Sequence, residues 1–312
     1  MHRDAPPKQP AHGPQSASPG TGPSVPEDGG TQGYLALATG PRKYVELAMN
    51  LAASIKVVDP SRRVCLVHDR NTDIPEEARH LFDDFAVLTD DPVYRPILNK
   101  LRLFEFSPYD RSMFVDADCL LVRRDVSHYW QRCAGHPFVI TGQVMTSGVW
   151  KGNAISELMA QYQAQYVVKM NSGVFYFDKS AAAQSFFHEL NAFYRDHSEN
   201  LVAHDGPWKY EDELFFGVVM GRVGMPPVLQ NEGPHNTIMA TTWRAPICLI
   251  NPDRGRSVLY KPRGFYFGIP VLPRGFDRLS PTFVHFVGLK PKRLYERLSR
   301  RFRATVAARR TG

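Results

Sequence analysis

The chain has 312 residues, 43% of them hydrophobic and 22% charged, which suits one large α/β domain or two small ones with an ample core. No run approaches the roughly 18 apolar residues of a spanning helix. The N-terminal stretch lacks the apolar core of a signal peptide, so a cytoplasmic protein is expected, or one peripheral to the cytosolic face of a membrane. The net charge of +7 is no nucleic-acid signature: nine Lys/Arg and one acid, Glu296, lie between Lys290 and Arg310, a local +8 that leaves the rest near −1.

Residues 1 to about 32 are rich in Pro, Gly, Ser and Gln and are predicted to be a disordered tail. Tyr34–Thr39 reads as the first strand. Val45, Met49, Ala52 and Ile55 then recur at helical spacing between Arg42 and Val58. Arg63–His68 is the next strand, Pro75 opens a helix through Leu81, and Phe85–Leu88 is a third strand. Strands alternating with helices predict a mainly parallel sheet with right-handed crossovers. Neither G-x-G-x-x-G nor G-x-x-x-x-G-K-[ST] is present, so no dinucleotide fingerprint or P-loop supplies a phosphate site. Ile97–Phe104 is predicted helical.

Next comes the most informative stretch, Met113–Val122. It is an apolar run interrupted by Asp116 and Asp118 and resumed as Cys119-Leu120-Leu121-Val122. Two carboxylates at the end of a buried strand repel one another unless a cation sits between them, and a hard divalent ion with oxygen ligands answers that need. In an open α/β sheet this is also where ligands bind. Taken alone, Asp-x-Asp reads equally as a turn or a cap. The phosphatase use of the same pattern ranks low, because it ends the first strand of its domain and carries Thr or Val where Leu120 stands.

Further on, Met170–Asp178 is a strand entered through Asn171-Ser172-Gly173, and Ala181–Tyr194 a helix. Tyr210-Glu211-Asp212-Glu213 opens another helix with acids in its first turn. Gly224–Arg278, dense in Pro and Gly, reads as irregular. Thr282–Phe286, which contains His285, is the last strand, and Val287-Gly288 turns it towards the basic tail. In the basic tail, Leu294, Leu298, Phe302 and Val306 recur every four residues, which suits either a helix lying on an anionic membrane or one packed on its own domain. Four scattered cysteines (Cys65, Cys119, Cys133, Cys248) read as free thiols, mostly buried.

FVDADCLLV, the upstream Asn99-Lys100-Leu101, MNSGVFYFDKS, YEDELFF and HFVGLKP occur in the order of glycosyltransferase family 8, the group of glycogenin and the lipopolysaccharide galactosyltransferases, which the chain resembles over about residues 34–292. The resemblance implies a GT-A fold spanning 33–289, with a single mainly parallel twisted sheet flanked by helices and with 290–312 as a basic tail. It implies a retaining hexosyltransferase that uses a nucleotide sugar, UDP-linked first, with Mn2+ (Mg2+ as the alternative ion) and a glycan, lipid-linked or protein acceptor. Carried over residue by residue, Asp116, Asp118 and His285 bind the metal, with Asp116 or Ala117 also touching the donor ribose. Ala38, Thr39 and Tyr44 form the nucleoside pocket, Lys100 lies near the diphosphate or sugar, and Asn171 and Ser172 approach the donor sugar. Gly288 and Lys290 hold the diphosphate from its other side.

Two positions depart from the pattern. The closing lysine is spaced so that either Lys290 or Lys292 fits, and the acidic motif aligns as Glu211-Asp212 or, shifted by one, as Asp212-Glu213, with Asp212 the best catalytic candidate and Glu211 beside it. Outside the resemblance, His285 reads as a core or cap histidine, Asn-Ser-Gly as a turn, and Lys100 as a solvated helix face. A nucleotidyltransferase and a non-catalytic sugar-nucleotide binder are the competing functions. No nucleic-acid partner is expected.

Overall fold

A computed structural model describes residues 31–206, 209–228, 237–264 and 274–311; residues 1–30, expected to be a disordered tail, lie outside these. The elements are β1 (Gln32–Ala38), α1 (Arg42–Val58), β2 (Arg63–His68), β3 (Asp84–Val87), α2 (Leu103–Phe106), β4 (Arg111–Val115), β5 (Cys119–Leu121), α3 (Val126–Cys133), β6 (Phe138–Met145), β7 (Val149–Trp150), β8 (Asn153–Ala154), α4 (Ile155–Tyr162), β9 (Val167–Asp178), α5 (Ala181–His197), α6 (Asp212–Arg222), β10 (Thr237–Thr241), β11 (Ile247–Asn251), β12 (Arg256–Pro262), β13 (Phe276–Leu279), β14 (Pro281–His285) and α7 (Lys292–Thr311).

The central sheet runs β3-β2-β1-β4-β9-β6. Its first four strands are parallel, and β9 is antiparallel to both neighbours, so β6 again runs with the first four. Strand residues alternate between two cores. Tyr34, Ala36, Val174 and Tyr176 pack with α1, α3 and α7 on one face, while Leu35, Phe175 and Phe177 pack with α4, α5 and α6 on the other. Both faces are therefore covered, and the mainly parallel α/β sheet expected from the alternating pattern is present. α1 buries Val45, Met49, Ala52 and Ile55, the residues that set its period.

Several expectations need correction. Met113–Val122 is not one interrupted strand: β4 belongs to the central sheet and β5 to a second sheet, β10-β14-β5, so the chain changes sheets at Asp116-Ala117-Asp118. The stretch 224–278 is not irregular, because β11, β12 and β13 within and around it form an antiparallel sheet. Its strands are half-solvated, with Ile247, Leu249 and Phe276 exposed, so they carry little apolar contrast. The segment expected to be helical over 97–104 is a 3-10 turn, Pro96–Arg102, followed by the short α2, and Pro75 opens only a single 3-10 turn.

α7 buries Tyr295, Leu298, Phe302 and Val306 in the same core as α1. Asn50 donates to the Tyr295 hydroxyl at 3.2 Å, and Arg303 reaches Glu46 at 3.2 Å. Of the two readings of this helix, its apolar stripe follows the packed one, and Arg293, Arg297 and Arg300 face outward. Among the described residues no helix is long and apolar enough to cross a membrane. All four cysteines are free thiols, three of them buried.

Candidate active site

The parallel strands deliver their carboxyl ends to one edge of the central sheet, and the aspartate turn sits there. Its backbone is held from both sheets. The Asp116 N–H donates to Gly173 O of β9 at 2.8 Å, and the Asp118 carbonyl accepts from Phe286 N, just beyond β14, at 3.1 Å. The register pairing of β14 with β5 sets His285 opposite Cys119. Strand pairing, rather than proximity in sequence, thus brings His285 to the two aspartates: Nε2 lies 3.0 Å from Asp118 Oδ1 and 4.0 Å from Asp116 Oδ2.

The other ring nitrogen fixes the tautomer. Asn171 Oδ1 accepts from Gly173 N at 3.1 Å while its amide nitrogen donates to Glu213 Oε1 at 3.2 Å, so this oxygen faces His285 Nδ1 at 3.2 Å and receives its N–H. Nε2 is then the basic nitrogen, turned towards the carboxylates. Burial pulls the imidazole towards its neutral form, but Asp118 and Asp116 outweigh it and hold its pKa above the ordinary range. The convergence depends on Gly173. A Cβ there would stand 2.9 Å from both Asn171 Oδ1 and His285 Nδ1 and 3.2 Å from Asp116 Oδ2.

Lys100 lies beneath, 3% exposed, so it is not a solvated helix face. Its ammonium is 2.9 Å from Asp116 Oδ1, 3.1 Å from Asp212 Oδ2 and 3.2 Å from Ser172 Oγ, and Ser172 itself donates to Asp212 at 2.5 Å. Burial opposes the charge, but the carboxylates of Asp116 and Asp212 more than restore it. Asn171-Ser172-Gly173 is no turn either, since it runs within β9. Ser172 is 2% exposed and braces the cluster from below, and Asp212 is 5% exposed.

Two further residues, Lys151 and Glu213, complete the cluster. Lys151 pairs with Glu211 and lies 2.9 Å from Glu213 Oε2. It occupies the two-residue connection of the β7–β8 hairpin, where Lys151 (φ 54°) and Gly152 (φ 74°) both take the left-handed conformation that such a tight hairpin requires. Glu213 also receives Asn171 and the Ser172 N–H, and burial together with the nearby Asp212 charge pushes its carboxyl up. A Lys-Gly pair between short apolar runs signals a hairpin, but nothing local says that the lysine docks on α6.

The charges do not balance. Five carboxylates (Asp116, Asp118, Glu211, Asp212, Glu213) face two ammonium groups and one imidazole, so with every carboxylate ionised even a protonated His285 leaves two negative charges over, and burial accordingly pushes the carboxyls of Asp116 and Glu213 up. Carboxylate oxygens and a bare imidazole nitrogen suit a divalent cation of the Mn2+ type. Cys119 Sγ shares this neighbourhood with Asp118 and His285. Burial and the aspartate charges hold it far above the ordinary thiol range, and Gly173 O lies 4.0 Å away, so it fits as a packed thiol and not as a ligand.

The remaining expected residues lie further out. Ala38 ends β1, the Thr39 hydroxyl donates to Pro96 O at 3.2 Å, and Tyr44 is 39% exposed on the first turn of α1. Asn99 shares the Pro96 carbonyl at 3.3 Å and lines a surface cavity of about 280 Å³ with Asp69, Thr89, Asp91 and Tyr94. Gly288 (φ 62°) lies in the turn after β14, and Ala117 lies in the aspartate turn. The Lys290 side chain is exposed while its carbonyl accepts from the Thr242 hydroxyl. Lys292 lies on α7, 3.8 Å from Glu296.

No family profile matches the chain, and no curated protein matches it. Among solved structures it is similar to the galactosyltransferase LgtC in complex with donor and acceptor sugar analogues, at 13% identity over 67% of this chain and 76% of that one, TM-score 0.44. It is also similar to the bifunctional glycosyltransferase WbbM at 13% identity, 69% and 41% coverage and TM-score 0.43. The apo form of the Streptococcus pneumoniae TIGR4 glycosyltransferase GlyE shares 12% identity over 61% of this chain and 43% of its own, TM-score 0.41.

Proposed function

We propose that this chain is a metal-dependent, retaining glycosyltransferase of the GT-A, family 8 type, moving a hexose from a UDP-sugar to a glycan, lipid-linked or protein acceptor. The observation that carries the reading is the convergence of Asp116, Asp118 and His285 at the carboxyl ends of the strands, in a cluster where acidic side chains outnumber cationic ones. Those three side chains would hold Mn2+, whose chemistry is to neutralise charge that develops on a departing diphosphate. Ala38, Thr39 and Tyr44 border the nucleoside, with the cavity at Asn99 within reach of the base and ribose. Gly288 and the exposed Lys290 bind the diphosphate from the side of β14. Lys290 is preferred to Lys292, which is directed along α7.

Lys100 holds Asp116 and Asp212 in place through its ammonium. Asn171 orients His285 through Nδ1 and presents its edge to the donor sugar together with Glu213. As the bond from the anomeric carbon to the phosphate oxygen breaks, its electron pair leaves with UDP. The acceptor hydroxyl attacks from the same face and its proton passes to the phosphate, while Asp212 and Glu211 stabilise the positive charge on the ring. The outward arginines of α7 would permit peripheral contact with an anionic surface.

The test is incubation with UDP-, GDP-, ADP- and CDP-hexoses in Mn2+, Mg2+ or EDTA, following nucleotide release. Release of UDP that requires Mn2+ is expected, and no release from any donor rejects the transfer reading. UDP-sugar binding without turnover identifies a binder, and nucleotide-sugar synthesis from a nucleoside triphosphate and a sugar phosphate identifies a nucleotidyltransferase. The Gly173→Ala variant is expected to weaken Mn2+ binding by about 10- to 100-fold, as the new methyl displaces His285 or Asn171. Calorimetric titration checks this, and an unchanged Kd contradicts the metal role of His285.

A further inference from the structure

Beside the candidate site, the turn after β10 is pinned in three ways. Thr241 is the register partner of His285 on the neighbouring parallel strand, so the two side chains share a face of the sheet. The Thr242 N–H donates to His285 O at 2.9 Å, and its hydroxyl donates to Lys290 O at 2.5 Å. Ala245 N closes the turn on Thr242 O at 3.0 Å, with Arg244 at φ 56°. This fixed turn carries Trp243, 59% exposed and the most exposed aromatic side chain among the described residues. An indole left in water on an anchored backbone is a ready flat surface for an apolar ring face.

From β12, Lys261 reaches the same place, its ammonium donating to the Thr241 hydroxyl at 3.0 Å. Lys261 is half-buried, yet no carboxylate among the described residues meets it, and burial holds its pKa below the usual lysine range. A partly buried ammonium ordinarily has an anionic partner. Lys100 and Lys151 have theirs within the protein, whereas among the described residues Lys261 meets the Thr241 hydroxyl, with the Cys248 thiol nearby.

We propose that Trp243 and Lys261 form an acceptor subsite that takes a sugar bearing an acidic substituent, a carboxylate or a phosphate ester, with the ring against the indole and the oxyanion on the ammonium. The word acceptor rests on the glycosyltransferase reading; the recognition of an acidic sugar does not. The full-length protein is titrated with methyl β-D-glucuronide, methyl glucoside 6-phosphate and neutral methyl β-D-glucoside, followed by saturation-transfer difference NMR. Both acids are expected to bind about tenfold more tightly than the neutral glycoside, as for a hydrogen bond to a charged group, and the tighter of the two names the substituent. Lys261→Gln removes the preference, Lys261→Arg retains it, and Trp243→Ala weakens all three ligands. Equal binding of acid and neutral sugars by the wild type overturns the proposal. So does a Lys261→Gln variant whose affinity for UDP with Mn2+ falls as much as its affinity for the acid, which would put the lysine on the leaving group. Acid-selective binding by a protein that ignores UDP would reject glycosyl transfer and leave the subsite standing.

Discussion

Replacing Asp118 with asparagine is expected to lower Mn2+-dependent turnover of a UDP-sugar by about a thousandfold or more, with the fold intact. The two side chains have nearly the same volume, and the backbone contact that seats residue 118, its carbonyl on Phe286 N, does not involve the side chain. What is lost is one negative charge at 3.0 Å from His285 Nε2. Electrostatic groups aimed at charge that develops in the transition state commonly account for factors of about 10² to 10³ each, and a metal ligand acts both on binding and on that charge. The fold should not suffer, because the substitution relieves crowding among five carboxylates. Two measurements separate the effects. Thermal unfolding without metal should be unchanged or slightly higher in the variant, whereas the rise in Tm that Mn2+ gives the wild type by binding the native state should be lost. Full retention of turnover, or an undiminished Mn2+ shift, would refute the assignment.

Lys100→Met should produce the largest loss of stability of any single change in the cluster, about 3–5 kcal/mol. Methionine is close to lysine in length and suits an apolar surrounding, so the packing of the stem survives. The ammonium does not, and Asp116 and Asp212 are left facing each other's charge in a site where Lys100 had contacted Asp116 at 2.9 Å and Asp212 at 3.1 Å. Taking one partner out of a buried ion pair costs far more than the pair contributes, because the remaining charge stays desolvated. Against a typical domain stability of about 5–15 kcal/mol this is a large fraction. Urea unfolding by circular dichroism measures it. A variant that unfolds within about 0.5 kcal/mol of the wild type would mean that Lys100 does not offset the charges of Asp116 and Asp212.

The parts of this architecture that follow from local periodicity were legible in the sequence. α1 spans Arg42–Val58 and β2 spans Arg63–His68, as their spacing indicates, because each buries a single well-marked face or both. Asp116 and Asp118 stood out because they interrupt an apolar run, where each needs a partner, whereas Lys100, Asn171 and His285 stood out only through the resemblance to the glycosyltransferase motifs. Other features depend on pairing at a distance. That β4 and β5 belong to different sheets is a matter of neighbours supplied by β9 and β14, and no pattern within FVDADCLLV records it. Lys151 joined the cluster through a hairpin docking on α6, where it meets Glu211 and Glu213 of the acidic motif. The strands β11–β13 escaped notice because their exposed apolar residues blur the alternation that marks a strand. For α7 the stripe was visible but its partner, α1, was not.

The crossing of the chain between sheets has a mechanical corollary. Asp116 is stitched to the ladder of β9 and Asp118 to the end of β14, so the short span between them is the seam of the molecule. Whatever draws those two carboxylates together also clasps one sheet to the other, and whatever pushes them apart unbuttons both. A cation held there would therefore stiffen the join between the two sheets as well as complete the site.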